Sequence, residues 1–535
     1  MSKFSRRSFL TILSSTLIPA AIEGRTENEP VCKLGPAITK QRLADAYKVR
    51  VDAAAYESKF AFPLHSCNGD ELRYPSRLGN FSKTLDHNDL GEVQSRSYDA
   101  LLRAISSNRH EDFEEIPVRG TVKLANPQAA YSFDLIGPDC QQLSIALPPS
   151  FETLEQAGEM AEVYWHAVLR DIPFEQYEQT PLCSEASKEL SKFPGFKGPR
   201  AQGGVTPSTL FRGETAGDLR GPYISQFLWK DVPYGAVKLV QKMRTTLPNS
   251  DYMTDYSWWL AVQNGMSSGN VALDSTPRYI RNGRDLGEYV HKDFTYQAFL
   301  NACLILLRMG ARMDQSNPYL LSHSVIQSGF VTHGPADILH HVAVVANLAL
   351  KAAWFHKWVV HRRIRPEEFA GRVHNLILKK AEYPIAPLLL SCKALDIIHE
   401  RTQTYLLPMA YPEGCPTHPS YPAGHAAIAG ACATVLKAFF DEDFIIPDPV
   451  IPGQEGQELI PLKINLSLGG ELDKLASNIS IGRNFAGVHW RSDAVEGMKL
   501  GEEVAIRFLN EMRFTSSELF QGFNLTKFNG EKVRI

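Results

Sequence analysis

Apolar side chains recur every three or four residues along much of this chain. Between about 153 and 171 they fall at Leu154, Ala157, Ala161, Val163, Tyr164, Ala167, Val168 and Leu169, a spacing that lines one face of an α-helix. The same period runs through about 335–363 and 426–440. The stretch Val342–Trp358 is apolar enough for a membrane span. His340, His341, Asn347, Lys351, His356 and Lys357 interrupt or flank it, which predicts a buried bundle helix instead. Pro and Gly concentrate in 190–222 and 444–470, predicting long loops of the kind that usually serve a site. No internal repeat is present. The pattern predicts an all-α fold of two helical bundles, an N-terminal region over 26–325 and a C-terminal bundle over 326–535 that holds the candidate chemistry below.

Composition narrows the classes. With 535 residues, 44% hydrophobic and 21% charged, the chain can bury a large core without disulfide or metal staples. A formal net charge of −3 argues against nucleic acid as the partner. Eight cysteines without a CxxC pair argue against zinc or thioredoxin-like chemistry. The N-terminus reads Ser5-Arg6-Arg7-Ser8-Phe9-Leu10 and then runs apolar to about Ala21. Adjacent arginines before a short h-region predict a twin-arginine signal over residues 1–25, and export to a bacterial periplasm or the medium. The alternative is a basic N-terminus on a cytosolic protein.

Three segments carry candidate chemistry. Lys357 and Arg365 stand eight residues apart, about two helical turns, so they project to similar sides. Pro366 predicts that the helix frays at Arg365. A point charge and a planar fork in one pocket suit a tetrahedral oxyanion; a solvated basic helix end is the other possibility. His418-Pro-Ser-Tyr-Pro-Ala423-Gly424-His425 opens a helix of small residues. Its N–H groups and dipole favour an anion, and His425 on the rim suits proton transfer; a turn with a surface histidine is the alternative. Arg483 precedes His489 by six residues, and Asp493 follows it by four. A carboxylate on one imidazole nitrogen fixes the tautomer; an exposed ion pair is the alternative.

Lys…Arg-Pro, then Pro-Ala-Gly-His, then Arg…His…Asp, in that order, resembles the vanadium haloperoxidase and type-2 phosphatidic acid phosphatase superfamily. The Lys-to-Arg step is similar to that of the algal and cyanobacterial bromoperoxidase branch. So are the flanks Trp354-Phe-His-Lys357, Arg365-Pro-Glu-Glu-Phe, Glu413-Gly-Cys-Pro-Thr-His418 and Gly501-Glu502. The resemblance implies a vanadate pocket in the C-terminal bundle. His489 would bond vanadium, with Lys357, Arg365, Arg483 and the Gly424 N–H on the vanadate oxygens. His425 would handle protons as hydrogen peroxide enters, and Asp493 would orient His489. It further implies halide oxidation to a hypohalous species that halogenates an organic acceptor, a homo-oligomer, and no membrane insertion. Trp354 and His418 stand where the family sets halide choice, and His418 favours bromide.

Ala423 departs from the family's serine. A missing hydrogen bond to a charged partner costs about 1.5–3 kcal/mol if nothing replaces it. Two other functions remain open: an exported acid phosphatase with a phosphohistidine at His489, and a non-catalytic oxyanion-binding protein.

Overall fold

The structure, a computed structural model, describes residues 40–535 apart from Asn270, Ser322 and His323. The expected signal over 1–25, and Cys32, lie outside the described residues. The chain divides into a unit ending at Ala55 and a unit from Tyr56 to Ile535. In the first, the described residues belong to a helix that begins at Lys40. Everything below concerns the second.

Seven of its helices build the site. They are α1 (Leu154–Leu169), α2 (Gly283–Lys292), α3 (Pro335–Phe355), α4 (Pro366–Ile377), α5 (Gly424–Phe439), α6 (Leu468–Phe485) and α7 (Arg491–Met512). The three runs with a helical period thus appear as α1, α3 and α5, and the all-α class holds. Among the described residues the named strands form only short antiparallel hairpins. One of them, Val450–Pro452 with Leu459–Pro461, lies inside the expected 444–470 loop. Local chemistry sets the helix starts. Thr153 accepts from Gln156 N at the head of α1, Ser467 accepts from Gly470 N at the head of α6, and prolines open α3 and α4.

The centre is α5 packed on α3, α6 and α7. Its small residues let α7 come within backbone contact. A Cβ at Gly501 would lie 1.9 Å from Ala427 O, and one at Gly430 2.1 Å from Met498 O. Only glycine fits such a seam. Helix α3, apolar enough to cross a membrane by length and composition, packs on α5 and α7 as a core helix.

One expectation fails. Lys357 and Arg365 do not share a helix. The α-helix stops at Phe355, His356–His361 form a π-helical turn, and Arg362 adopts a left-handed φ of 42°. Arg365 is then the N-cap of α4, with its N–H on Glu368 Oε2 at 3.2 Å. Pro366 starts a new helix at its first position, where a missing N–H costs nothing, rather than fraying the old one. The two cations converge because the chain reverses.

The seven described cysteines are all free. Several histidines are buried and neutral. Burial lowers His356 to about 3, helped by His65 and opposed by its bond to Leu143 O. Burial and Arg372 lower His87 to about 3. The unfolded chain binds these protons near pH 6.5 and the native state does not. Stability from this source is therefore complete above pH 6.5 and falls as pH drops toward 3, by up to about 1.4 kcal/mol per pH unit per histidine. Urea midpoints measured between pH 7 and pH 4 should fall less steeply for His356→Gln than for the native sequence.

Candidate active site

Lys357 lies in the π-helical turn after α3, Arg365 at the head of α4, and Arg483 in the last turn of α6. Lys357 and Arg365 are 0% exposed and Arg483 is 6% exposed. Backbone carbonyls hold all three. Lys357 Nζ donates to Pro419 O (2.8 Å) and Ser420 O (2.7 Å). Arg365 donates from Nε to His418 O (3.0 Å) and from Nη1 to Val488 O (2.7 Å). Arg483 Nη1 donates to Val290 O (2.7 Å) and weakly to the Tyr411 hydroxyl (3.4 Å), while its Nε is buried without a partner. Among the described residues none of the three pairs with a carboxylate; the ion pairs beside them belong to Arg363. Burial and Arg365 push the Lys357 ammonium well below its ordinary range, with Asp493 opposing and Arg483 adding to the shift.

His489 lies in the turn between α6 and α7. Its Nδ1 is 2.7 Å from Asp493 Oδ2, and its Nε2 is 3.0 Å from Arg365 Nη1. A guanidinium can only donate. Nε2 therefore carries the lone pair, and Nδ1 donates its proton to Asp493. Burial, then Arg365, Lys357, Arg483 and His418, hold the ring well below its usual pKa, so it stays neutral. The pairing is not the helix-face contact expected from the four-residue spacing. Asp493 sits in the first turn of α7, and its Oδ2 also accepts from Trp490 N at 3.1 Å, so the carboxylate caps the helix and holds the histidine together.

The head of α5 closes the pocket. Ala423 is its N-cap and gives no side-chain cap. Its N–H donates to Asp493 O at 2.9 Å, so Asp493 ties both segments. A Cβ on Gly424 would lie 3.1 Å from Leu350 Cδ1 and 3.3 Å from Trp354 Cζ3. His425 is on the rim, its side chain 29% exposed, with Nε2 3.1 Å from Asp293 Oδ1. The His418 ring lies 4.7 Å from that of Trp354, and its Nδ1 is 3.1 Å from Arg365 Nη2. Burial, Lys357 and Arg365 keep His418 neutral. Trp354, Lys357, Arg365, His418, His489 and Asp493 therefore lie in one connected set of contacts, with the Ala423 N–H joined to it through Asp493. The bland alternatives for the first and third segments fail on burial.

Three partners escaped the sequence reading. Arg363 donates to Asp493 Oδ1 (2.9 Å), Ser492 Oγ (2.7 Å), Gln156 Oε1 (2.7 Å) and Glu159 Oε2 (2.7 Å). Asp293 ends α2 and meets His425. Tyr411 lies under Arg483, 5.4 Å from guanidinium carbon to ring centre. Only Arg363 had a local signal, the Arg362-Arg363 run beside Arg365.

The geometry brings buried basic side chains around a neutral histidine in an all-helical protein, and the comparisons say which family this is. A family model described as the VCPO second helical-bundle domain matches residues 394–517. The vanadium-dependent bromoperoxidase of Ascophyllum nodosum is 34% identical over 529 residues, 94% of this chain and 93% of that one. That of Corallina pilulifera is 33% identical over 600 residues, 94% of this chain and 100% of that one. The homohexameric structure of the second vanadate-dependent bromoperoxidase from Ascophyllum nodosum aligns with a TM-score of 0.88 at 30% identity, covering 98% of this chain and 95% of that one. This chain belongs to the vanadium-dependent haloperoxidase family.

Arg363 is the structural test of the site. Arg363→Met strands Glu159 and Asp493 as buried charges, which should cost about 3–5 kcal/mol. Chemical denaturation should show this loss, with a smaller one for Arg363→Lys.

Proposed function

We propose that this chain is a vanadate-dependent bromoperoxidase, oxidising bromide or iodide with hydrogen peroxide to a hypohalous species that halogenates an organic acceptor. The observation that carries this is the set of three buried cations, Lys357, Arg365 and Arg483, without a carboxylate partner among the described residues. Uncompensated buried charge is costly, so the donor set fits a tetrahedral oxyanion. The orphaned Arg483 Nε fits it too. His489 Nε2 offers the lone pair for vanadium, its tautomer fixed by Asp493. The Gly424 N–H at the head of α5 adds a backbone donor where the helix dipole favours negative charge. Bound vanadate would supply the Lewis acidity that activates peroxide. His425, fixed by Asp293 and open to solvent, is placed to move protons. Trp354 and His418 form the wall for halide. The naming of the relatives as bromoperoxidases supports bromide, and the homohexameric relative supports a homo-oligomer. Export through the twin-arginine signal completes the reading.

The experiment is bromination of a dimedone indicator with peroxide and bromide, before and after vanadate, beside para-nitrophenyl phosphate hydrolysis by the vanadate-free protein. Vanadate-dependent bromination is expected. Phosphate release without bromination would move the assignment to a phosphatase, and neither activity to an oxyanion-binding protein.

Ala423 supplies no hydroxyl to the anion. Ala423→Ser adds a donor at the N-cap and should tighten vanadate binding by about 1.5–3 kcal/mol, read by equilibrium dialysis of the vanadate-free protein. The hydroxyl has a second use, capping α5 itself. A gain in thermal stability with unchanged vanadate affinity would show that it took that one.

A further inference from the structure

Arg483 is the pocket cation with the least support of its own. Its Nε has no partner, and what fixes it comes from α2 and from the Tyr411–Gly414 turn. Val290 O accepts from Nη1, and the Tyr411 hydroxyl lies 3.4 Å from the same nitrogen. Tyr411 in turn donates to Gly287 O at 2.5 Å. Its ring is covered by the imidazole of His291, with centroids 3.7 Å apart and planes 9° from parallel. His291 Nε2 lies 2.6 Å from Glu413 Oε1, and its Nδ1 lies 3.5 Å from Glu288 Oε2. The turn that carries both Tyr411 and Glu413 is closed by Gly414 N–H on Tyr411 O (3.0 Å), and Lys83 Nζ on Glu413 O (2.6 Å) pins it to the core.

We propose that His291 is a positioning residue for the oxyanion pocket, lying flat on Tyr411 and tethered to Glu413 so that Tyr411 and Val290 hold Arg483 where the anion binds. The inference rests on the reading of this pocket as a vanadate site. The groups facing His291 are Glu288 and Lys292 from α2 and Tyr411 and Glu413 from the turn, with Arg483 beyond the Tyr411 ring. The two carboxylates outweigh burial and raise the His291 pKa, which favours the cation; a cation on an aromatic face adds to the stack. One helix end thus serves two pocket groups, since Asp293, two residues on, holds His425.

The test is vanadate binding to the vanadate-free protein by equilibrium dialysis, together with turnover at saturating vanadate. His291→Ala should weaken vanadate binding by roughly 10-fold, the loss seen when a partner behind a ligating group is removed. Turnover at saturating vanadate and the KM for bromide should stay near native. His291→Phe, which keeps a flat ring on Tyr411, should recover part of the loss. In an Arg483→Gln background His291→Ala should add nothing, because its effect runs through Arg483. Glu413→Ala, at a side chain 46% exposed, cuts the tether without opening the core and should act in the same direction. If the native protein binds vanadate and neither His291→Ala nor Glu413→Ala changes that affinity, the positioning role is wrong. It is equally wrong if the loss persists in the Arg483→Gln background. A native protein that binds no vanadate would instead remove the reading of the pocket itself.

Discussion

Three basic side chains buried in one pocket set the terms for the rest of this fold. Moving a charge out of water costs several kcal/mol even after relaxation, and carboxylate partners would be the simplest remedy. The chain instead uses five backbone carbonyls, those of Pro419, Ser420, His418, Val488 and Val290. A carbonyl dipole solvates a cation without cancelling its charge. The pocket is thereby folded and still positive, which a ring of aspartates would not allow. The nearby carboxylates are kept to other work. Glu159 and Asp493 share Arg363, and Asp493 also holds His489.

Those carbonyls are useful only if their segments hold still. Ser420 is bonded to Arg363 O and Ile364 O, and the head of α5 is fixed by the seam in which Gly430, Gly497 and Gly501 bring α5 and α7 into backbone contact. That seam carries Asp493 to Ala423, so one residue accepts the Ala423 N–H with its carbonyl and orients His489 with its carboxylate. Arg363 then ties the pair to α1 through Gln156 and Glu159. A defect in the seam would therefore reach the histidine and the helix head together.

How much of this was legible in the sequence follows from the range of each interaction. Helical period exposed α1, α3 and α5, because a buried face repeats locally. Ordered polar motifs exposed Lys357, Arg365, Gly424, His425, Arg483, His489 and Asp493. Asp293 and His425 are 132 residues apart, and no period or spacing links them. Tyr411 reads as an ordinary core aromatic until Arg483 is seen over it. The Lys357–Arg365 spacing misled for a physical reason. Eight residues fit two α-helical turns equally well on paper, but a π turn and a left-handed Arg362 intervene. Proline at 366 is compatible with both the end of one helix and the start of the next, and the Glu368 contact to the Arg365 N–H decides between them.

The same positive field links anion binding to protons. Lys357, His418 and His489 are all lowered by burial and by the cations around them. An oxyanion placed among Lys357, Arg365 and Arg483 opposes that field and raises the affinity of Lys357 and His418 for protons. By linkage, whatever the anion does to protonation, protonation does to the anion. Binding should therefore strengthen as pH falls through the range where His418 gains its proton. It should weaken again only where enough protons reach His489 to remove the lone pair that Arg365 now holds. His489 resists that step best. It is the most buried of the histidines in the pocket, and Arg365, Lys357 and Arg483 oppose a positive charge on its ring.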